Sequence, residues 1–230
     1  MIRDSRKDVG YFKKYLEYQN KRIGEFCKKA GTIRDDSQLG KLYLFISGFL
    51  RDKLYASYSG GTDISDLKLV YQEWLSACEK ASNVCYSDLI DIASLCVLLV
   101  PGAESALKVS ALIKKCGESD DLLRLFQSYL SNGERKIGEG IPKYIAYSGL
   151  KDALTSTDKT QQAESLRNYI INIWYSANND SAWHDSHLSE QDIYVGYWCF
   201  VGAAIAKVIG LDADLFEGVE FYPSDLVKTR

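Results

Sequence analysis

Apolar side chains recur every three or four residues along nearly the whole chain, and that period commits it to helices. The clearest stripe is Ile64, Leu67, Tyr71, Trp74, Cys78 and Ala81, one face of one amphipathic helix. Val9, Phe12, Leu16, Ile23, Phe26 and Ala30 form another, with Gly31 as its stop. Leu39, Leu42, Ile46, Phe49 and Leu50 mark a third, ended by Gly60 and Gly61. Ser87 precedes an apolar run over 89–100, closed by Pro101 and Gly102. Further helices are expected over 106–116 and 121–130, then near 144–155, 159–177 and 190–209. Alternating runs bounded by hairpin turns are missing, so no strand is expected. The expected fold is all-α, an irregular bundle of about eight to ten helices.

The helix expected near 190–209 has a readable start and stop. Ser189 followed by Asp192 resembles a capping box, and Gly210 suits a C-cap. Ile193, Tyr197, Trp198, Val201, Ala204, Ile205, Val208 and Ile209 make it apolar almost all round, so it is expected to be central and buried. Gly202, Ala203, Ala204 and Ala206 would let neighbouring helices approach closely. The best loop is 131–142, punctuated by Gly133, Gly138, Gly140 and Pro142.

Charge is unevenly spread. Residues 1–60 hold 13 Lys and Arg against 7 Asp and Glu, whereas 176–226 hold nine acids against one base, Lys207. Such a division bears on partners and association rate rather than on fold. It is also what solvated helix faces would give. No apolar segment near the N-terminus suggests a signal peptide, and the longest uncharged apolar run, 193–206, is too short to span a bilayer. A cytoplasmic protein is expected. Cys27, Cys78, Cys96 and Cys199 sit among apolar neighbours at helical spacing. They are expected to be reduced and mostly buried.

Few motifs point to chemistry. The chain has no G-x-S-x-G, no G-x-x-x-x-G-K-[ST] and no G-x-G-x-x-G after a strand. Paired acids such as Asp35-Asp36 and Asp120-Asp121 read as helix-start residues, favoured by the dipole there. The basic pairs Lys13-Lys14, Lys21-Arg22 and Lys28-Lys29 fall opposite Phe12, Leu16 and Ile23, so they read as a wet helix face rather than a nucleic-acid surface. His184 and His187 flank Asp185 and could share a helical face, but a zinc site wants three or four ligands. No catalytic residue, metal or cofactor is expected.

The segment that stands out is the acidic, aromatic C-terminal region. It holds Trp174, Trp183 and Trp198, with Tyr175, Tyr194, Tyr197, Phe200, Phe221 and Tyr222. Tyr197, Trp198 and Phe200 suit a core. Aromatics rimmed by carboxylates suit a protein-binding surface, where rings anchor and charges select a basic partner.

Several of these residues carry a family likeness. Trp174-Tyr175, Trp183-x-Asp185-Ser186-His187, Gly196-Tyr197-Trp198-x-Phe200, Ala203-Ala204-x-Ala206-Lys207, Gly210-Leu211-Asp212 and Tyr222-Pro223-x-Asp225-Leu226 resemble the C-terminal domain of the immunity proteins paired with PoNe-type DNase toxins. Arg3-Asp4, Tyr11-Phe12 and Glu17-Tyr18-x-Asn20 resemble the opening of the accompanying N-terminal domain. The resemblance departs at Val201, where many members carry an acid, and at Gly202, where alanine is usual; that acid bears on which toxin is bound. It implies an all-helical, non-enzymatic bacterial protein, an N-terminal domain over 1–117 and a C-terminal domain over 118–230, or one continuous unit. It also implies binding to the DNase domain of a polymorphic toxin, delivered by type VI or other antibacterial systems, with protection from self-intoxication.

A nuclease must offer phosphates a positive cleft, so an acidic surface can stand in for DNA. On that reasoning the toxin-facing residues expected are Asp180, Trp183, Asp185, His187, Glu190, Asp212, Asp214, Glu217 and Tyr222, with Trp183 and Tyr222 as anchors. The partner expected is a cognate DNase toxin domain, with neither nucleic acid nor membrane, the chain being monomer or homodimer. Two rival readings stand beside it: a helical scaffold or adaptor with a solvated acidic surface, and a metal-dependent hydrolase using His184, Asp185 and His187.

Overall fold

The computed structural model describes residues 2–100, 102–117, 120–136, 142 and 144–228. Pro101 and residues 137–141 of the expected loop lie outside the described residues. The described residues form helices α1 to α10 and no strand, which is the all-α class that the periodicity demands. No helix among them is long and apolar enough to cross a membrane. The chain groups into two compact units, residues 1–85 with 185–196, and residues 86–184 with 197–230.

The first unit is built on three helices. α1 (Val9–Ala30) starts at Asp8, whose carboxylate accepts from the Tyr11 amide at 2.7 Å, and carries Lys28 and Lys29 in its last turn, where the dipole favours cations. α2 (Asp36–Ser59) starts the same way, with Asp35 accepting from the Gln38 amide at 2.7 Å. It ends at Gly60, where a Cβ would meet the Cβ of Phe12 at 3.0 Å, so the lack of a side chain here eases the close approach of α1. α3 (Ile64–Lys80) buries Leu67, Tyr71, Trp74 and Cys78, the stripe read from the sequence. α2 packs against both α1 and α3.

The stretch 185–196 completes this unit, and here the structure corrects the expected helix over 190–209. Residues 191–199 are not helical. The Ser189 hydroxyl accepts from the Gln191 amide at 3.0 Å, a local turn and not a helix start. The backbone of Tyr194 spends both its groups on one side chain: its amide donates to the Tyr11 hydroxyl at 2.9 Å, and that hydroxyl donates to its carbonyl at 3.0 Å. The Ser59 hydroxyl donates to the Val195 carbonyl at 2.7 Å. With those groups taken and Gly196 at φ 106°, no helical ladder can run through. Gly196 was the signal in the sequence, a glycine inside an otherwise apolar helical pattern.

The second unit is centred on two helices that are apolar nearly all round. α4 (Tyr86–Leu99) buries twelve of its fourteen residues, and α9 (Phe200–Ile209) buries all but Lys207, so the two face each other through the core. α9 keeps the central, buried place expected of it, over its own ten residues only. Around them lie α5 (Ala103–Lys115), α6 (Asp121–Asn132), α7 (Lys151–Thr155), α8 (Lys159–Asn168) and α10 (Ser224–Lys228). Asp120 caps α6 by accepting from the Leu123 amide at 2.9 Å and also accepts from the Tyr86 hydroxyl. Gly133 ends α6 and Gly210 ends α9 in the left-handed region, at φ 73° and 70°.

Small residues let α9 sit deep. A Cβ at Gly202 would stand 2.9 Å from Cγ1 of Ile170 and 3.0 Å from Sγ of Cys199. Gly202→Ala is therefore expected to lower stability by about 1–2 kcal/mol, less than a rigid clash would cost because the Ile170 side chain can swing. Denaturant unfolding measures it, and an alanine variant as stable as the parent would contradict the packing. All six cysteines are thiols outside any disulfide: Cys78, Cys96 and Cys199 are buried as expected, Cys116 is half-buried, and Cys27 and Cys85 are exposed because they fall on the outer sides of their segments.

Candidate functional site, an acidic and aromatic surface

In the second unit a π-helical turn, Tyr169–Ile173, underwinds the end of α8 and a turn after it brings the chain back. The Asn178 amide holds that turn by donating to the Trp174 carbonyl at 2.7 Å. Trp183 is thereby laid on Trp174, with ring centroids 5.4 Å apart and planes within 18°. Tyr175 stacks on Phe221 at 5.4 Å and meets Tyr197 edge-on at 5.1 Å. His184 lies 4.1 Å from Tyr175. The six rings form one cluster, with Trp174 and Tyr197 buried and Tyr175, Trp183, His184 and Phe221 half-buried. Asp180 is exposed in the turn that carries Trp183.

Past α9 the chain turns through a short 3-10 segment, Ala213–Phe216. Asp212 starts it, accepting from the Asp214 amide at 3.1 Å. Phe216 plugs it into the core, fully buried, and this leaves Asp212, Asp214 and Glu217 outside. Lys228 reaches both Asp214 and Glu217 at 3.4 Å, an exposed pairing worth little energetically. Over 211–228 the sequence holds five acids against one base. Three cations approach the same turn through backbone carbonyls and keep their charge there. Arg135 and Lys159 donate to the Ile209 carbonyl at the negative end of α9, and Arg167 donates to the Leu215 carbonyl at 3.2 Å.

The expected residues thus fall into separate groups. Asp212, Asp214 and Glu217 come together, and Trp183 joins the ring cluster beside Asp180. Asp185, His187 and Glu190 belong to the first unit, on the stretch 185–196. Asp185 and Glu190 are exposed; Asp185 adopts φ 55°, a conformation aspartate tolerates. His187 is half-buried, its ring 6.1 Å from that of Tyr194.

Tyr222 differs from the others. It is 4% exposed and stacked on Phe216 at 4.8 Å, so it is a core ring and offers no docking face. The physical reason is the left-handed turn at Phe221, φ 65°, which presents Phe221 to the ring cluster and turns its neighbour inward. Burial pushes the Tyr222 hydroxyl above the usual phenol range, and that hydroxyl has no hydrogen-bond partner among the described residues. Tyr222→Phe is expected to leave stability unchanged or raise it by about 0.5–1 kcal/mol, since a desolvated, unpaired group is removed. A melting curve checks this; a clear loss would mean that the hydroxyl is held.

Among the described residues no group of three or more His, Cys, Asp or Glu is gathered to hold a metal ion. His184 and His187 are each laid against a tyrosine instead.

The residues that make this surface fall inside a stretch with a known relationship. The family described as PoNe immunity proteins (PoNi), C-terminal, matches residues 118–226. Residues 118–226 belong to that family. No curated protein and no solved structure matches the chain. Within this PoNi domain the position that departs from the resemblance, Val201, is 2% exposed, so an acid there would be buried among the α9 neighbours rather than offered to a partner. Sequence reasoning passed over Gln19, Tyr15 and Asp52, which line a cavity in the first unit. Their signal was Gln19 itself, a polar residue four positions after Tyr15 and on the same helical face.

Proposed function

We propose that the protein is an immunity protein that binds a cognate PoNe-type DNase toxin and neutralises it by direct contact, protecting the cell that makes it. The observation that carries this reading is the family match over 118–226, which includes the exposed carboxylates of 211–228. A nuclease draws phosphates into a positive cleft, and carboxylates held on a rigid support compete for the same field. Asp212, Asp214 and Glu217 steer and select, with Asp180, Asp185, His187 and Glu190 as further contacts, and the half-buried face of Trp183 supplies apolar anchoring. The first 117 residues serve as the N-terminal domain of the same immunity architecture. The protein acts in the cytoplasm as a binding protein, against toxin of the kind delivered by type VI or other antibacterial systems. The test is to mix the purified protein with the DNase domain of the toxin encoded beside it. A complex on gel filtration and stoichiometric loss of DNA cleavage are expected; free elution of both with undiminished cleavage would refute the reading.

A further inference from the structure

The second unit contains a pocket of about 440 Å³ between α8 and the turn that follows α9, within the roughly 300–1,000 Å³ of ordinary ligand pockets. One wall is a single face of α8, because Thr160, Ala163, Glu164 and Arg167 are spaced at helical intervals of three and four. The other wall is Gly210, Leu211, Asp212 and Leu215. The 3-10 geometry of Ala213–Phe216 sets successive side chains about 120° apart, so burying Phe216 puts Leu215 outside, at 51% exposure. A single exposed leucine is ordinary on a protein surface. Here it forms the lip of a pocket lined further by the buried Leu211 and the half-buried Ala163. The two cations of the lining are anchored to backbone: Lys159 donates to the Ile209 carbonyl and Arg167 to the Leu215 carbonyl at 3.2 Å, so their methylene stems lie along the walls. Against these cations stand two exposed acids, Asp212 and Glu164, so the lining has no net charge.

A charged side chain entering here would gain from one pair of charges and lose to the other. A large apolar side chain covers Leu215, Leu211 and Ala163 and leaves the carboxylates of Asp212 and Glu164 in water, which is the apolar centre and polar rim of a binding hot spot. The pocket is also continuous with the acidic turn: Asp212 lines it, and Asp214 and Glu217 follow on the same turn. We propose that this pocket receives a large apolar side chain of the partner toxin, next to a basic toxin residue that meets Asp212 and Asp214. The proposal rests on the immunity reading for the identity of the partner. It adds to the steering carboxylates an anchor that sets how long the complex lasts, separate from Trp183 and its ring cluster.

Two variants and a probe test it. Ala163→Met fills the pocket with the chain's own methylenes at a helical position that methionine suits, and Leu215→Ser removes the lip. In surface plasmon resonance against the toxin's DNase domain, each is expected to weaken Kd by about 10- to 100-fold through faster dissociation, to the same degree at low and high salt, with a melting temperature no lower than the parent's. Without toxin, N-acetyl-L-phenylalanine amide at millimolar concentration should shift the Ala163, Leu211 and Leu215 methyl resonances saturably, and Ala163→Met should abolish the shift. Parent-like Kd in both variants, or no shift with the phenylalanine probe, would overturn the proposal. So would a shift produced instead by N-acetyl-L-glutamate amide or N-acetyl-L-arginine amide, because the pocket would then select a charge. A concentration-dependent dimer that Ala163→Met disperses, with toxin affinity unchanged, would assign the pocket to a second copy of the chain and overturn the proposal as well. If the toxin fails to bind the unaltered protein at all, the immunity reading falls, and the phenylalanine probe still decides the chemistry of the pocket.

Discussion

Reversing the charge of Asp212, Asp214 and Glu217 together to lysine is expected to weaken toxin binding by about 100-fold or more and to abolish protection. The three carboxylates are exposed around one 3-10 turn whose plug is Phe216, so the changes leave the buried contacts intact. The fold should tolerate them, since Asp214 and Glu217 pair with the exposed Lys228 at 3.4 Å, such pairs are worth about 0–1 kcal/mol, and Asp212 gives up one exposed bond from the Asp214 amide. The loss should appear mainly in the association rate, because these charges act on the approach of a basic partner. Salt should reduce the affinity of the unaltered protein and have much less effect on the triple variant, as the Debye length falls below about 10 Å above 0.1 M. Surface plasmon resonance at two salt concentrations, with a melting curve for each protein, makes the measurement. A triple variant that still binds and protects like the parent would remove this turn from the interface.

Asp4→Ala is expected to cost about 2–4 kcal/mol, the largest single-site loss of stability predicted for this chain outside its apolar core. The Asp4 side chain is 1% exposed. It accepts from the Tyr194 hydroxyl and from the Arg6 amide at 2.9 Å, with the Arg6 guanidinium 3.6 Å away. Removing the carboxylate strands the buried Tyr194 hydroxyl, which is why the cost exceeds that of an ordinary hydrogen bond. The loss also loosens 185–196, since Tyr194 ties that stretch to α1 and α2. Tyr194→Phe should cost less, about 1–2 kcal/mol, because the ring stays packed and one acceptor alone is left unmade. Thermal unfolding of both single variants and the double gives the coupling. A loss under about 1 kcal/mol for Asp4→Ala would show that the clasp is not a cooperative unit.

Parts of the candidate site were legible before any coordinates. Asp212, Asp214 and Glu217 could be picked out because a run of acids with few bases has no use in a core. Trp183 could be picked out by its polar neighbours. Tyr222 looked the same by composition, and only the reversal of direction at Phe221, φ 65°, separates an inward ring from an outward one. A backbone in the left-handed region at a phenylalanine leaves no trace in residue type. The Gln19 cavity was hidden for another reason: its lining comes from α1, α2 and a segment some 170 residues later in the chain, and no local pattern links such positions.

The helices themselves are a local matter, and so the sequence is enough to state them. Val9–Ala30 and Ile64–Lys80 follow from apolar spacing, and the capping acids Asp8, Asp35 and Asp120 follow from the few residue types that can bind an exposed helix amide. All-α architecture needs nothing more than that period and the lack of an alternating one. The stretch 191–199 is the counter-example. Its apolar run and its Ser189 start favour a helix locally, yet the Tyr11 and Ser59 hydroxyls, far away in sequence, take the backbone groups that a helix would need. Those hydroxyls stand where they do only after α1 and α2 have packed, with Gly60 easing the approach and Asp4 holding Tyr194 in place. Competition for backbone hydrogen bonds between a local ladder and distant side chains is settled by packing, and packing depends on every part of the unit at once.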